Sequence, residues 1–300
     1  MITLLDNLVR RLNRASVFVM FWLAVCAFGC SRAVAATTIV ASVFPLADVV
    51  AQIGGDAVDV HTLLPAGANP HTFEPTPEQL QTIASAGVIV RVGAGLDDWL
   101  DRLLKTTDSH ARVVAITEGV ALLGPADSSH GDPHVWLDPI LVRDSLVPGI
   151  RAALIDADPA HESQFQAGAA RFSGELTQLD REINTMLQPL PERGFVAVHP
   201  AWRYFARRYR LEEVAAVEES PGKEPSAQSI AGVIERARAR HVRAVLTEPQ
   251  INDRMAKVIA AEIGATTFVV DPLGGPRVAG RDGYLALMRY NSSVFAQALR

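Results

Sequence analysis

A chain of 300 residues with 49% hydrophobic content has enough apolar material for one large core or two medium ones. Its formal net charge of −5 offers no electrostatic reason to bind nucleic acid, so no nucleic-acid partner is expected. Its only cysteines, Cys26 and Cys30, lie near the start.

The chain opens with Arg10, Arg11 and Arg14 ahead of an apolar stretch over 15–29 that only Ser16 interrupts. Ala33-Val34-Ala35 and Ala36 follow. A basic region, a short apolar core and an A-x-A site predict a secretory signal peptide over 1–35. The core is shorter than a membrane span needs. An uncleaved anchor is the alternative, and lipidation at Cys30 ranks second to simple cleavage because Ala27 and Phe28 fit that pattern badly. Cutting after Ala35 removes both cysteines, four arginines (Arg10, Arg11, Arg14, Arg32) and Asp6, which takes the formal net charge to −8. Disulfides and thiolate ligands then drop out, and a metal site must use nitrogen and oxygen.

The rest reads as two α/β halves. Strands are predicted over 38–43, 58–64, 88–92 and 113–117, with helices over 46–53, 77–86 and 99–104 between them. A long helix follows over 158–187, with Asp158 as N-cap and Pro159 in the first turn. Phe165, Phe172, Leu176, Leu179, Ile183 and Met186 form its apolar stripe. Pro189 and Pro191 end it. Strands over 194–198, 214–217, 244–247 and 267–270 alternate with helices over 230–240 and 255–263, and a helix over 284–299 closes the chain. Such alternation implies mainly parallel sheets. The expected domains are 36–157 and 189–300, separated by a helix over 158–188.

Four residues stand out against this frame. His71 lies in Asn69-Pro70-His71-Thr72-Phe73-Glu74-Pro75, and His134 in Asp132-Pro133-His134-Val135-Trp136-Leu137-Asp138-Pro139. His199 precedes Pro200, and Asp271 precedes Pro272. Three imidazoles and one carboxylate make a tetrahedral shell for a zinc-like ion. His199 and Asp271 follow predicted strands directly, and His71 lies in the loop after one. Ligands in open α/β sheets bind beyond the carboxyl ends of strands. Two facing halves would therefore bring His71 and His134 from one side, and His199 and Asp271 from the other, into one cleft. Each alone would be an ordinary loop histidine or turn aspartate. His61, His110, His161 and His241 read as surface or core residues, while His130, in a polar loop, is a candidate for touching a passing ion. Trp136, Phe73 and Trp202 read as an apolar wall around the ligands. No phosphate loop, dinucleotide fingerprint, H-E-x-x-H or G-x-S-x-G is present.

From Ile39 to Leu299 the chain resembles the zinc- and manganese-type solute-binding proteins of bacterial ABC importers. The resemblance runs through Ser42-Val43-Phe44-Pro45-Leu46-Ala47-Asp48, Pro70-His71-Thr72-Phe73-Glu74-Pro75, the segment 132–139, His199-Pro200-Ala201-Trp202, Glu248-Pro249-Gln250 and Asp271-Pro272-Leu273-Gly274. It implies two α/β domains joined by a long rigid helix, with the metal between them. It also implies a periplasmic protein that hands its ion to a membrane permease and ATPase, with a periplasmic metallochaperone as a further partner. A monomer is expected, with no reaction and no catalytic cofactor. Zn2+ is the expected solute and Mn2+ the alternative, because three imidazoles favour zinc while manganese prefers more oxygen. A metallohydrolase using Asp271 as base, and a metal-binding surface adhesin, are the other readings. The chain departs from many zinc-type members in lacking a histidine-rich loop before His134, where only His130 remains.

Overall fold

A computed structural model of the chain describes residues 36–107, 109–124, 131–218 and 225–300. The expected signal peptide over 1–35, with Cys30 and the Ala35 cleavage site, lies outside the described residues, as does His130. No helix among the described residues is long and apolar enough to cross a membrane.

In chain order the first sheet contains β1 (Thr37–Ala41), β2 (Val58–Thr62), β3 (Val88–Arg91) and β4 (Arg112–Ala115). Between these strands come helices α1 (Phe44–Gly54), α2 (Pro77–Ser85) and α3 (Trp99–Thr106). The spatial order is β2-β1-β3-β4, and every pairing is parallel. Ile39, Val40 and Ala41 in β1, and Val88, Ile89 and Val90 in β3, are fully buried. Such continuous apolar runs suit central strands covered on both faces.

The second sheet repeats this plan with β5 (Gly194–Ala197), β6 (Glu212–Ala216), β7 (Ala244–Thr247) and β8 (Thr266–Val269). Its order is β6-β5-β7-β8, again parallel throughout. In each sheet the connections change direction beside the first strand, which leaves a crevice at the carboxyl ends. The two-sheet α/β architecture is the one expected from the sequence.

Two helical stretches go beyond the sequence reading. One is α4 (Val147–Ala157), entered through short helical turns at Val135–Leu137 and Pro139–Leu141 and a π-helical turn at Val142–Leu146. Pro148 hides this stretch from a periodicity reading. It has no N–H, and its ring crowds the carbonyl of Asp144; the wide π turn just before it relieves that conflict. The other is α6 (Arg203–Tyr209), whose C-terminus turns through Arg210 in the left-handed region at φ 57°. It directly follows the His199 loop, where a seven-residue helix is too short for a clear period.

The long helix α5 spans Glu162–Leu187, 26 residues or roughly 39 Å at 1.5 Å per residue. It starts later than expected. Pro159–His161 winds as a 3-10 turn, and Asp158 does not cap it; its carboxylate takes His161 Nδ1 at 2.6 Å instead. Phe165, Ala169, Phe172, Leu176, Leu179, Ile183 and Leu187 form the buried stripe. Met186 is 39% exposed, so the stripe ends on Leu187, four residues beyond Ile183. Arg193 donates to the carbonyls of Leu187 and Gln188 and so closes the helix end.

This helix packs against α1 and α4 of the first lobe and against the final helix α9 (Tyr284–Ala298) of the second. Gly168 permits the approach to α1, since a Cβ there would fall 2.2 Å from the carbonyl oxygen of Ile53. Asp48 in α1 accepts the N–H of Tyr284 at 2.8 Å and thereby caps α9 across the lobes. Helices α7 (Ala227–Ala239) and α8 (Arg254–Ile263) cover the second sheet. Residues 36–300 form one compact unit.

Candidate metal centre

Three of the loops at the carboxyl ends share one local device. Asn69 Oδ1 accepts the N–H of His71 at 2.9 Å, Asp132 Oδ1 that of His134 at 2.9 Å, and Asp271 Oδ1 that of Leu273 at 3.0 Å. In each case a proline sits between donor and acceptor. An Asx side chain closing on the residue two ahead, with Pro fixing φ between them, makes a rigid turn. At the first two turns the residue so fixed is the candidate histidine. At the third, the candidate Asp271 is itself the acceptor.

The structure brings the three histidines together. One ligand atom from each of His71, His134 and His199 lies within 4.8 Å of the other two. Ring centroids are 5.0 Å apart for His71–His199 and for His134–His199, and 5.9 Å for His71–His134. The Nε2 atoms of His134 and His199 are 3.2 Å apart. Two nitrogens each about 2.05 Å from a tetrahedral zinc would be about 3.3 Å apart. The observed spacing therefore suits an ion between them.

Each imidazole is prepared differently. His134 Nδ1 meets Asp132 Oδ1 at 2.8 Å. That contact places the proton on Nδ1 and leaves Nε2 bare for a ligand. His71 as a residue is partly exposed, but its Nε2 is buried and has no hydrogen-bond partner among the described residues. Burial, and then the neighbouring His134, push the pKa of His71 down to about 3. His199 is held well below the usual histidine range by burial first, and then by His134, His71 and Arg203. Both are thus neutral, metal-competent imidazoles at physiological pH.

Asp271 is placed otherwise. It is buried but lies outside the three-histidine group. Its Oδ1 accepts from Leu273 N, Gly274 N and Gln250 Nε2 at 3.0, 3.0 and 2.9 Å, and its Oδ2 pairs with Arg281 Nη1 at 2.9 Å. Asn291 brackets its backbone, accepting Asp271 N and donating to Asp271 O.

A pocket opens onto the histidines, lined also by Glu218, Glu248 and Gln250. Glu248 takes the indole N–H of Trp202 at 3.0 Å, and burial pushes its pKa up to about 8. Trp136 lies beside His134 with ring centroids 5.2 Å apart and donates to Pro272 O. Trp136 and Trp202 are both fully buried, as expected of an apolar wall, whereas Phe73 packs against Trp99 at 5.1 Å. Sequence reasoning passed over Asp132 and Arg281 as contributors. Asp132 had a readable signal, an acid two residues before a histidine with proline between; Arg281 had none.

A family model described as zinc-uptake complex component A, periplasmic, matches residues 39–298. The chain belongs to this ZnuA family. The high-affinity zinc uptake system protein ZnuA of Bacillus subtilis (strain 168) is 29% identical over 278 residues, 87% of each chain. The manganese-binding lipoprotein MntA of Halalkalibacterium halodurans is 29% identical over 293 residues, 94% of this chain and 97% of that protein. A crystal structure of ZnuA is 34% identical, with a TM-score of 0.78 over 88% of this chain and 100% of the other. The ZnuA family is one of metal solute-binding proteins, as the sequence motifs imply, and both zinc and manganese names occur among the relatives.

Proposed function

We propose that this chain is an extracytoplasmic solute-binding protein that captures Zn2+ and delivers it to the permease of an ABC importer, with the ATPase driving transport. The observation that carries this reading is the convergence of three buried or half-buried imidazoles on one point, two of them held neutral by burial. Three nitrogen donors favour zinc over manganese. Asp271 supplies the fourth donor from the second lobe. In this reading the four protein ligands leave no position for a reactive water, as capture requires. Residues 36–157 and 189–300 form the two domains, and 158–188 is the link between them. Residues 1–35 direct export to the periplasm, with cleavage after Ala35 preferred to lipidation at Cys30. The protein acts as a monomer, and a periplasmic metallochaperone is a candidate donor of the ion.

Native mass spectrometry of untagged protein after zinc loading tests this directly. One ion per chain is expected, and none at matched zinc concentration in a His71→Ala, His199→Ala double variant. No retained zinc in the wild type would overturn the proposal, as would two or more tightly held ions.

A further inference from the structure

Asp271 is buried and held by several donors, and its constraints are unequal. Oδ1 receives three N–H donors, more than its two lone pairs. Two of these close the Asx turn and the third comes from Gln250, so Oδ1 is spent on structure. Oδ2 receives Arg281 alone. The backbone cannot swing to present the group differently, because Asn291 holds both its N–H and its carbonyl. Whatever Asp271 offers an ion must come from Oδ2.

Arg281 is built into this place. Its guanidinium lies 4.8 Å from the ring centroid of Tyr290, on α9. Its backbone is tied to the turn beside Asp271, with Gly275 N donating to Arg281 O at 3.2 Å and Arg281 N donating to Val278 O at 2.9 Å. Gly274, in the left-handed region at φ 62°, passes so close that a Cβ would sit 2.5 Å from Arg281 O. The side chain is 22% exposed, and its Nε is buried without a hydrogen-bond partner among the described residues. Such a pair neutralises the carboxylate and occupies one of its two remaining lone pairs.

We propose that Arg281 is a specificity-determining residue of the metal site: by holding Asp271 Oδ2, the one carboxylate oxygen not spent on the turn, it neutralises the carboxylate and leaves a single lone pair for an ion, so that the site disfavours ions that depend on a charged oxygen donor. This rests on the reading of His71, His134, His199 and Asp271 as the ion's ligands. Zinc is satisfied by three imidazoles and one oxygen. Manganese prefers an octahedral, oxygen-rich shell and loses most from a carboxylate that is already neutralised and half occupied. Lifting the arginine frees both lone pairs of Oδ2 and restores the charge. Manganese then gains more than zinc, whose fourth position is already filled.

Competition titrations of Zn2+ and Mn2+ against a chromophoric chelator, on wild type, Arg281→Ala and Arg281→Lys, test this. Arg281→Ala is expected to lower the zinc-to-manganese affinity ratio by about tenfold or more, the scale of changes in groups that hold a ligand. The change should come from tighter manganese binding. Arg281→Lys keeps a charge-assisted bond to Oδ2 and should restore the ratio to within about threefold of wild type. Where Arg281→Ala does not fold, Arg281→Gln keeps the stem and should shift the ratio in the same direction. An unchanged ratio, or weaker manganese binding, in a folded variant overturns the proposal while leaving zinc capture intact. A wild type that holds no zinc overturns the functional reading itself, and this inference with it.

Discussion

At the residue scale, the properties of the site come from what each histidine touches. Asp132 fixes both the backbone and the tautomer of His134. Replacing it with Ala removes both effects at once, and zinc affinity is expected to fall by about 10- to 100-fold. Asp132→Asn keeps an acceptor oxygen and should lose less. Chelator competition at neutral pH checks this, and equal affinities for wild type and Asp132→Ala would remove Asp132 from the site's function. The pH response follows from the same contacts. A sequence view with three freely titrating imidazoles predicts a fall of up to about three decades in zinc affinity per pH unit below about pH 6. In the folded site His71 is pushed down to about 3, and His199 also lies well below its ordinary value. A depressed pKa means that no proton has to leave those rings when zinc enters between pH 5 and 8. The slope of log affinity against pH is therefore expected to be about one or less across that range. Zinc titrations from pH 5 to 8 measure it, and a slope near three would show that both rings are protonated in the free protein.

At the element scale, α5 and α9 bind the lobes to each other. The N-terminus of α9 has its first N–H capped by Asp48 from the other lobe, a group whose pKa burial raises. Asp48→Ala should cost about 0.5–2 kcal/mol, the range for losing a helix cap. Asp48→Asn, which can still accept the N–H and avoids burying a charge, should cost less. Urea unfolding reads both, as a lower midpoint at unchanged slope. The order of the elements was legible in the sequence because apolar runs of four or five residues, broken by amphipathic helices, leave little choice but parallel sheets. The helices over 147–157 and 203–209 were not legible. Pro148 breaks the period of the first, and the second is too short to show one. Met186 likewise fits the stripe of α5 on spacing, but it turns outward in the last turn, where Leu187 takes the buried place.

At the scale of the whole molecule, the loops that carry the ligands are cross-tied between lobes. Tyr204 of α6 donates to Asp132 O and accepts Leu123 N, both at 2.9 Å. Trp136 donates to Pro272 O at 2.8 Å, Tyr284 to Trp136 O at 2.7 Å, and Arg208 pairs with Asp138. Opening the cleft widely would break these buried bonds together with the packing along α5. Small-angle scattering with and without zinc should therefore show a change in radius of gyration below about 1 Å. A large compaction on zinc binding would mean that the ties are broken in the free protein.

Fold class, family and the three histidines that meet can all be read from the order of residues alone. These are local facts: strand and helix periods, proline-fixed Asx turns, and residue types whose chemistry is unusual in such turns. The sequence also put Asp271 forward as the fourth ligand, from its place after a strand and before a proline, whereas the structure groups only the three histidines. How each of these groups is conditioned follows from the assembled fold. The low pKa of His71 comes from desolvation by the packed lobes and from an imidazole 63 positions away in the chain. The capture of Asp271 by Arg281 and Gln250 depends on loops folding back onto the end of β8. Burial and pairing across long separations are properties of the assembled chain, because the free energy of a charge depends on what surrounds it in space, and sequence neighbours do not report that.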